Sequence, residues 1–228
     1  MISSIYKKSF SVLASKPLRL WGISLLSIFL SMAAYILFGV IPGAAIAIGL
    51  LLETSMTLIY LNGFLGQEVK TLQLFDCFRS WRTIGRVLGG MAWMLMWVLL
   101  WSLIPVAGIV FGVIKFYSYR LTPYILMKEP EVKATEAYKL SEQRTMGYKG
   151  KMFWADVLPV LAYIAAVLIL SVFSAIPYLG WLFALVLAVL VVAFAVFLPL
   201  FLGLVQSAFY VEIQKSLDPP AADMGWYE

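Results

Sequence analysis

The chain has no histidine and a single cysteine, Cys77. The first absence removes the commonest general base and the commonest zinc ligand. The second excludes an intramolecular disulfide and a cysteine-held metal cluster. Charge is scarce too: Asp, Glu, Lys and Arg make up 13% of 228 residues, about half the share of an average soluble domain. There is no glycine-rich phosphate loop to couple the protein to nucleotide hydrolysis. Paired span aspartates, a serine-protease motif and HExxH, the requirements of intramembrane proteolysis, are also missing. The sequence is therefore read as non-enzymatic, with no catalytic residue, cofactor or metal.

What is abundant is apolar surface. Hydrophobic residues make up 63% of the chain, too many for the remaining polar groups to cover a water-soluble fold of this size. Val157 to Val211 contains no charged residue, far beyond the ~20 residues one membrane span needs. The net charge of +5 is assigned to lipid headgroups and topology rather than to nucleic acid, because Lys and Arg collect at the ends of spans.

Read in order, residues 2 to 13 place Ile2, Ile5, Tyr6, Ser9, Phe10 and Leu13 on one face and Lys7 and Lys8 opposite, the pattern of an interfacial helix. After Pro17, six spans are predicted: Leu18–Val40, Ala44–Phe64, Val87–Leu103, Ile109–Met127, Met152–Ala175 and Leu182–Tyr210. The first is longer than a signal-peptide core and is read as retained. Ile41-Pro42-Gly43, Ile104-Pro105-Val106-Ala107-Gly108 and Ile176-Pro177-Tyr178-Leu179-Gly180-Trp181 supply three short outer turns. Between the second and third spans, Val69, Leu72, Phe75, Phe78 and Trp81 recur every three residues beside Arg79, Arg82 and Arg86, predicting a second interfacial helix over 67–86. Pro130 to Gly147 predicts a third, with Ala134, Ala137, Tyr138, Ser141 and Thr145 on its less polar face.

Of 17 Lys and Arg, none lies in the three Ile-Pro turns, and apart from Arg19, which opens the first span, only Lys115 and Arg120 lie within one. This bias predicts both termini on the cytoplasmic side. The fold class expected is an all-α integral membrane domain: three parallel helical hairpins, each preceded by a cytoplasmic interfacial amphipathic helix. The 228 residues form one domain with pseudo-repeats of about 1–64, 65–128 and 129–212 and a short tail, 213–228. An even number of spans per unit excludes inverted-topology repeats.

The run from Gly108 to Val157 resembles a bacterial family of six-span integral membrane proteins of uncharacterised function. The residues that carry the resemblance are Gly108, Lys115, Ser118-Tyr119, Pro123-Tyr124, Pro130, Ala137, Ser141, Met146-Gly147, Lys149, Phe153 and Asp156, with Leu74-Phe75 and Phe78 earlier in the chain. More distantly, it looks like the membrane domain fused to some bacterial glycerophosphodiester phosphodiesterases. Arg120 departs from the family pattern, where a small polar residue is expected. The resemblance implies the six-span fold and the cytoplasmic (inner) membrane of a bacterium; it brings no activity or catalytic residues.

Ionisable side chains inside spans are costly and are functional candidates for that reason. Glu53 lies 10 residues past Gly43 and Arg120 lies 12 past Gly108; at ~1.5 Å per residue both fall some 15–18 Å from the turns. A Glu53–Arg120 ion pair is thus allowed, with Lys115 nearer the turn. Two readings stand side by side: a structural bridge, or a polar site for an anion or headgroup built from Glu53, Lys115, Tyr117, Tyr119 and Arg120. Lys115 or Arg120 could also snorkel without a partner. Phe75, Phe78 and Trp81 are candidate interfacial contacts, and Asp156 a candidate interfacial ion-pair residue beside Lys149 and Lys151. Gly85-x-x-x-Gly89 and Gly108-x-x-x-Gly112 fit close helix packing. The functions expected are a transport or lipid-handling component, or alternatively a non-transporting scaffold or accessory subunit. Its partners would be membrane lipid and either a second copy or another membrane protein.

Overall fold

The computed structural model describes residues 1–15, 17–174, 176 and 178–217. The predicted tail beyond Leu217 lies outside them, as does Pro177 of the third turn. The chain is all-helical, with no strand among the described residues. Its α-helices are α1 (Ile2–Ser15), α2 (Pro17–Phe38), α3 (Pro42–Phe64), α4 (Trp81–Ser102), α5 (Gly108–Ser118), α6 (Thr122–Lys128), α7 (Ala137–Arg144), α8 (Lys149–Ser174) and α9 (Gly180–Leu217). A 3-10 helix, Thr71–Phe78, precedes α4.

Five of these (α2, α3, α4, α8 and α9) are long and apolar enough to cross a membrane. Their apolar side chains point outward to a degree no soluble fold tolerates: Leu161, Ile164, Leu168 and Val172 of α8 are exposed, as are Leu185, Val189 and Val192 of α9. Such a surface needs lipid around it. α2 packs on α3, α4 on α5 and α8 on α9.

The expected fourth span, Ile109–Met127, is not one helix. It divides into α5 and α6 around Tyr119, Arg120 and Leu121. Pro123 is the physical cause: it has no N–H for the Tyr119 carbonyl and its ring crowds that oxygen. The Tyr119 carbonyl instead accepts from Thr122 N at 3.0 Å and Thr122 Oγ1 at 2.6 Å.

The predicted interfacial helix over 67–86 also differs. A spacing of three suits the 3.0 residues per turn of a 3-10 helix, which forms over Thr71–Phe78. Leu74 and Cys77 are buried, while Leu72 and Phe75 on the other side are exposed. Ser80 then caps α4 by accepting from Thr83 N at 3.1 Å, so residues 81–86 begin α4. α1 keeps its predicted face, but Ile5, Ser9 and Leu13 are buried against the protein and the Phe10 ring meets that of Phe201 in α9, tilted, at 4.9 Å.

The third polar segment departs furthest. Helix forms only over α7, and the connector folds back beside α4 instead of lying beyond its end. Tyr138 stacks on Trp97 at 6.0 Å and meets Tyr119 edge-on at 5.2 Å. Glu129 and Arg144 clamp the two ends of this connector with paired contacts of 2.5 and 2.9 Å. Arg86 caps α6 by donating to the carbonyls of Leu126 at 3.0 Å and Glu129 at 2.7 Å, a cation at a helix C-terminus. The core lies at this level, built from Ile59, Leu61, Leu121, Tyr124, Phe201 and Phe209.

Close approach by glycine fixes two turns in the same way. A Cβ on Gly108 would lie 2.2 Å from the Ser102 carbonyl oxygen, and one on Gly180 would lie 2.1 Å from that of Ser174. Val106 and Tyr178, each two residues earlier, both have φ of 67°. Gly112 likewise abuts the Ser102 side chain, whereas Gly85 and Gly89 face open space. Of the two predicted packing motifs, only the one in α5 meets a neighbouring helix.

Candidate functional site

The break between α5 and α6 is built from backbone groups that a continuous helix would have satisfied internally. Ser141 Oγ accepts from Leu121 N at 3.0 Å and donates to the Ser118 carbonyl at 2.9 Å. Thr145 Oγ1 also reaches that carbonyl, at 3.0 Å. On the other side, Gln206 Nε2 of α9 donates to the Arg120 carbonyl at 2.9 Å. Ser118, Thr122, Ser141 and Thr145 are fully buried. Irregular backbone inside an apolar bundle survives only with such partners, and α7 exists in its folded-back position to supply them.

Charged side chains surround the break. Arg120 pairs with Asp156, their side chains 11% and 14% exposed, and Tyr117 donates to Asp156 Oδ2 at 3.1 Å. The Arg120 guanidinium lies 5.2 Å from the Tyr117 ring centroid. Lys115 Nζ is 2.6 Å from Glu142 Oε1 on α7 and 4.7 Å over the Trp101 ring. Lys149 approaches the same Glu142 oxygen at 3.9 Å. Tyr6 of α1 donates to the Ala155 carbonyl at 2.6 Å. Burial, and then the nearby Asp156 charge, hold its hydroxyl protonated above the usual tyrosine range.

The expected Glu53–Arg120 pair is therefore absent. Breaking the helix at Tyr119 re-aims Arg120, and Asp156 takes it. Asp156 is an ion-pair residue, but with Arg120 rather than with Lys149 or Lys151. Lys115, Tyr117, Tyr119 and Arg120 do come together, as a network closed by Glu142 and Asp156. Phe75 is exposed, Phe78 is half-buried against it at 6.2 Å, and Trp81 is 87% exposed.

Glu53, halfway along α3, takes no ion pair in that network, although the Arg120 charge reaches it. It opens into a cavity of about 580 Å³ between α2, α3 and α9. Ser24, Ser27 and Ser31 line it from α2, Thr57 and Tyr60 from α3, and Gln206 from α9. Among the described lining residues Glu53 is the only acid and none is basic. No described residue forms an ion pair with it. Tyr60 and Ser24 share a hydrogen bond of 3.2 Å across the α2–α3 contact, and Thr57 Oγ1 donates to the Glu53 carbonyl at 2.9 Å. Gln206 joins the two regions, because it lines the cavity and holds the Arg120 carbonyl.

No family model, curated protein or solved structure matches this chain. The cavity's significance rests on its own chemistry.

Sequence reasoning found Glu53 but not its surroundings. The signal was present: Ser24, Ser27 and Ser31 fall at i, i+3 and i+7, one face of a helix. Gln206 gave no comparable signal, because only the broken segment makes its position matter.

Proposed function

We propose that this protein is a membrane-embedded transport or lipid-handling component that works through the Glu53 cavity. The observation that carries the reading is an ionisable side chain in mid-helix, with no ion pair among the described residues, facing a cavity of about 580 Å³. That size falls within the roughly 300–1,000 Å³ of small-molecule sites. An unpaired charge at this position is costly to keep in an apolar medium and is a functional-site hypothesis on that ground. The Lys115–Arg120 network, in this reading, holds the broken segment in place.

The proposal includes six membrane crossings, the fourth made by α5 and α6 in series. Such discontinuous helices next to a polar site are a recurring feature of transporters. It also includes three hairpins entering from the cytoplasm of a bacterium, and kinship with the six-span family named above. The test is native mass spectrometry of the purified chain beside Gly49→Trp. Gly49 lines the cavity, and a Cβ there meets nothing within 4 Å. A lipid or small molecule carried by the unmodified chain should be lost from a Gly49→Trp protein that unfolds at the same temperature. Equal retention would refute the proposal.

The scaffold reading is supported by a different observation: Leu72, Phe75 and Trp81 are exposed next to Lys70, Arg79 and Arg82. It is favoured if changing Phe75, Phe78 and Trp81 to polar residues releases a co-purifying partner while cavity variants have no effect.

A further inference from the structure

We propose that the Glu53 cavity selects an organic cation, an ammonium group carried on an apolar body. This deepens the proposed function and rests on it.

The first support is the distribution of charge. Both cations of the broken fourth segment have carboxylate partners of their own, Arg120 with Asp156 and Lys115 with Glu142. No basic side chain lines the cavity among the described residues. The one cation whose charge reaches Glu53, Arg120, is already paired with Asp156, so a cationic ligand would supply Glu53 with a counter-charge of its own.

The second support is the direction of the hydrogen bonds. Thr57 has already given its hydroxyl proton to the Glu53 carbonyl, so its oxygen is left as an acceptor. Gln206 uses an amide N–H on Arg120, which leaves its carbonyl oxygen. Together with the carboxylate these groups are richer in acceptors than in donors, and an ammonium group has three donors and no acceptor. The second Gln206 N–H and the Ser27 and Ser31 hydroxyls remain as donors, but an anion would have to sit beside the Glu53 carboxylate.

The third support is the shape and the remaining lining. Ile28, Met32, Ile46, Leu50 and Leu202 make the other walls apolar, suited to an alkyl or lipid body. A bare metal ion is a poor occupant, because hard cations want six or more oxygens at about 2.0–2.6 Å. No group of three or more metal-binding side chains forms among the described residues. An amine of this kind could come from a lipid headgroup or from a free amphiphile.

The probes are radiolabelled dodecylamine and its uncharged analogue dodecanol, bound to the whole chain in dodecyl maltoside micelles near neutral pH. Dodecylamine should bind saturably, and Glu53→Gln should weaken it about tenfold or more, as expected for one lost charge pair. Dodecanol should be indifferent to Glu53→Gln. Gly49→Trp should block both probes. Competition by phosphatidylethanolamine but not phosphatidylglycerol would assign the cation to a lipid headgroup; absence of competition would assign it to a free amine. If the two probes bind alike and Glu53→Gln changes neither, while Gly49→Trp still blocks them, selection of a cation is refuted and the cavity stands. If Gly49→Trp also leaves binding untouched, the cavity reading itself fails.

Discussion

Ser141 completes the backbone of Leu121. Its hydroxyl accepts the Leu121 N–H at 3.0 Å and passes its own proton to the Ser118 carbonyl at 2.9 Å. One side chain from the polar connector thus satisfies both sides of the gap between α5 and α6.

Ser141→Ala should destabilise the folded chain by about 1–3 kcal/mol, the cost of leaving a buried backbone group without a partner. Thr145→Ala should cost less, because the Ser118 carbonyl would keep Ser141. Denaturant titration of the two variants in the same micelle checks the order.

Asp156→Asn and Arg120→Gln each strand a largely buried charge and should cost about 3–5 kcal/mol at most. Replacing both with apolar residues of similar volume should cost less than the two single changes added together. A double-mutant cycle on unfolding reads that coupling. The same cycle between Glu53 and Arg120 should give a much smaller value, since these two do not form an ion pair.

The glycines should divide cleanly. Gly85→Ala and Gly89→Ala place a methyl in open space and should stabilise α4 by up to about 1 kcal/mol. Gly108→Ala drives a methyl into a fixed backbone oxygen and should lower folded yield. Gly112→Ala meets the movable Ser102 hydroxyl and should fall between these. Thermal unfolding midpoints rank them.

Cys77 is fully buried. Burial pushes its thiol up from the usual range, and the Asp76 charge adds to it. Because the thiolate is the reactive form, maleimide labelling of the folded chain should remain slow as pH rises through the ordinary thiol range. Labelling in denaturant should rise over that same range. Fast labelling at neutral pH would show that the 3-10 helix opens.

The apolar helices were legible because hydropathy alone determines them. The amphipathic face of α1 was legible from the placement of Ile5, Ser9 and Leu13. The break was not, since Ile109 to Met127 is as apolar as a continuous span and Pro123 reads equally well as a kink. Placing Glu53 and Arg120 as partners assumed two unbroken helices, and that assumption hid Asp156. The folded-back position of α7 depends on Ser141 and Thr145 finding carbonyls that exist only once the break has formed. A spacing of three in Leu72, Phe75 and Phe78 did contain the 3-10 geometry, which a reading based on 3.6 residues per turn passed over.

The 11 residues of α5 and the 7 of α6 are each too short to enter a bilayer alone, where about 20 are needed. The groups that complete them are synthesised some twenty residues later. During biogenesis this portion should therefore linger at the insertion machinery until Ser141 and Thr145 have emerged, and leave it as a preassembled unit. Ribosome-stalled chains ending before and after Thr145 would show the change as a step in lipid accessibility.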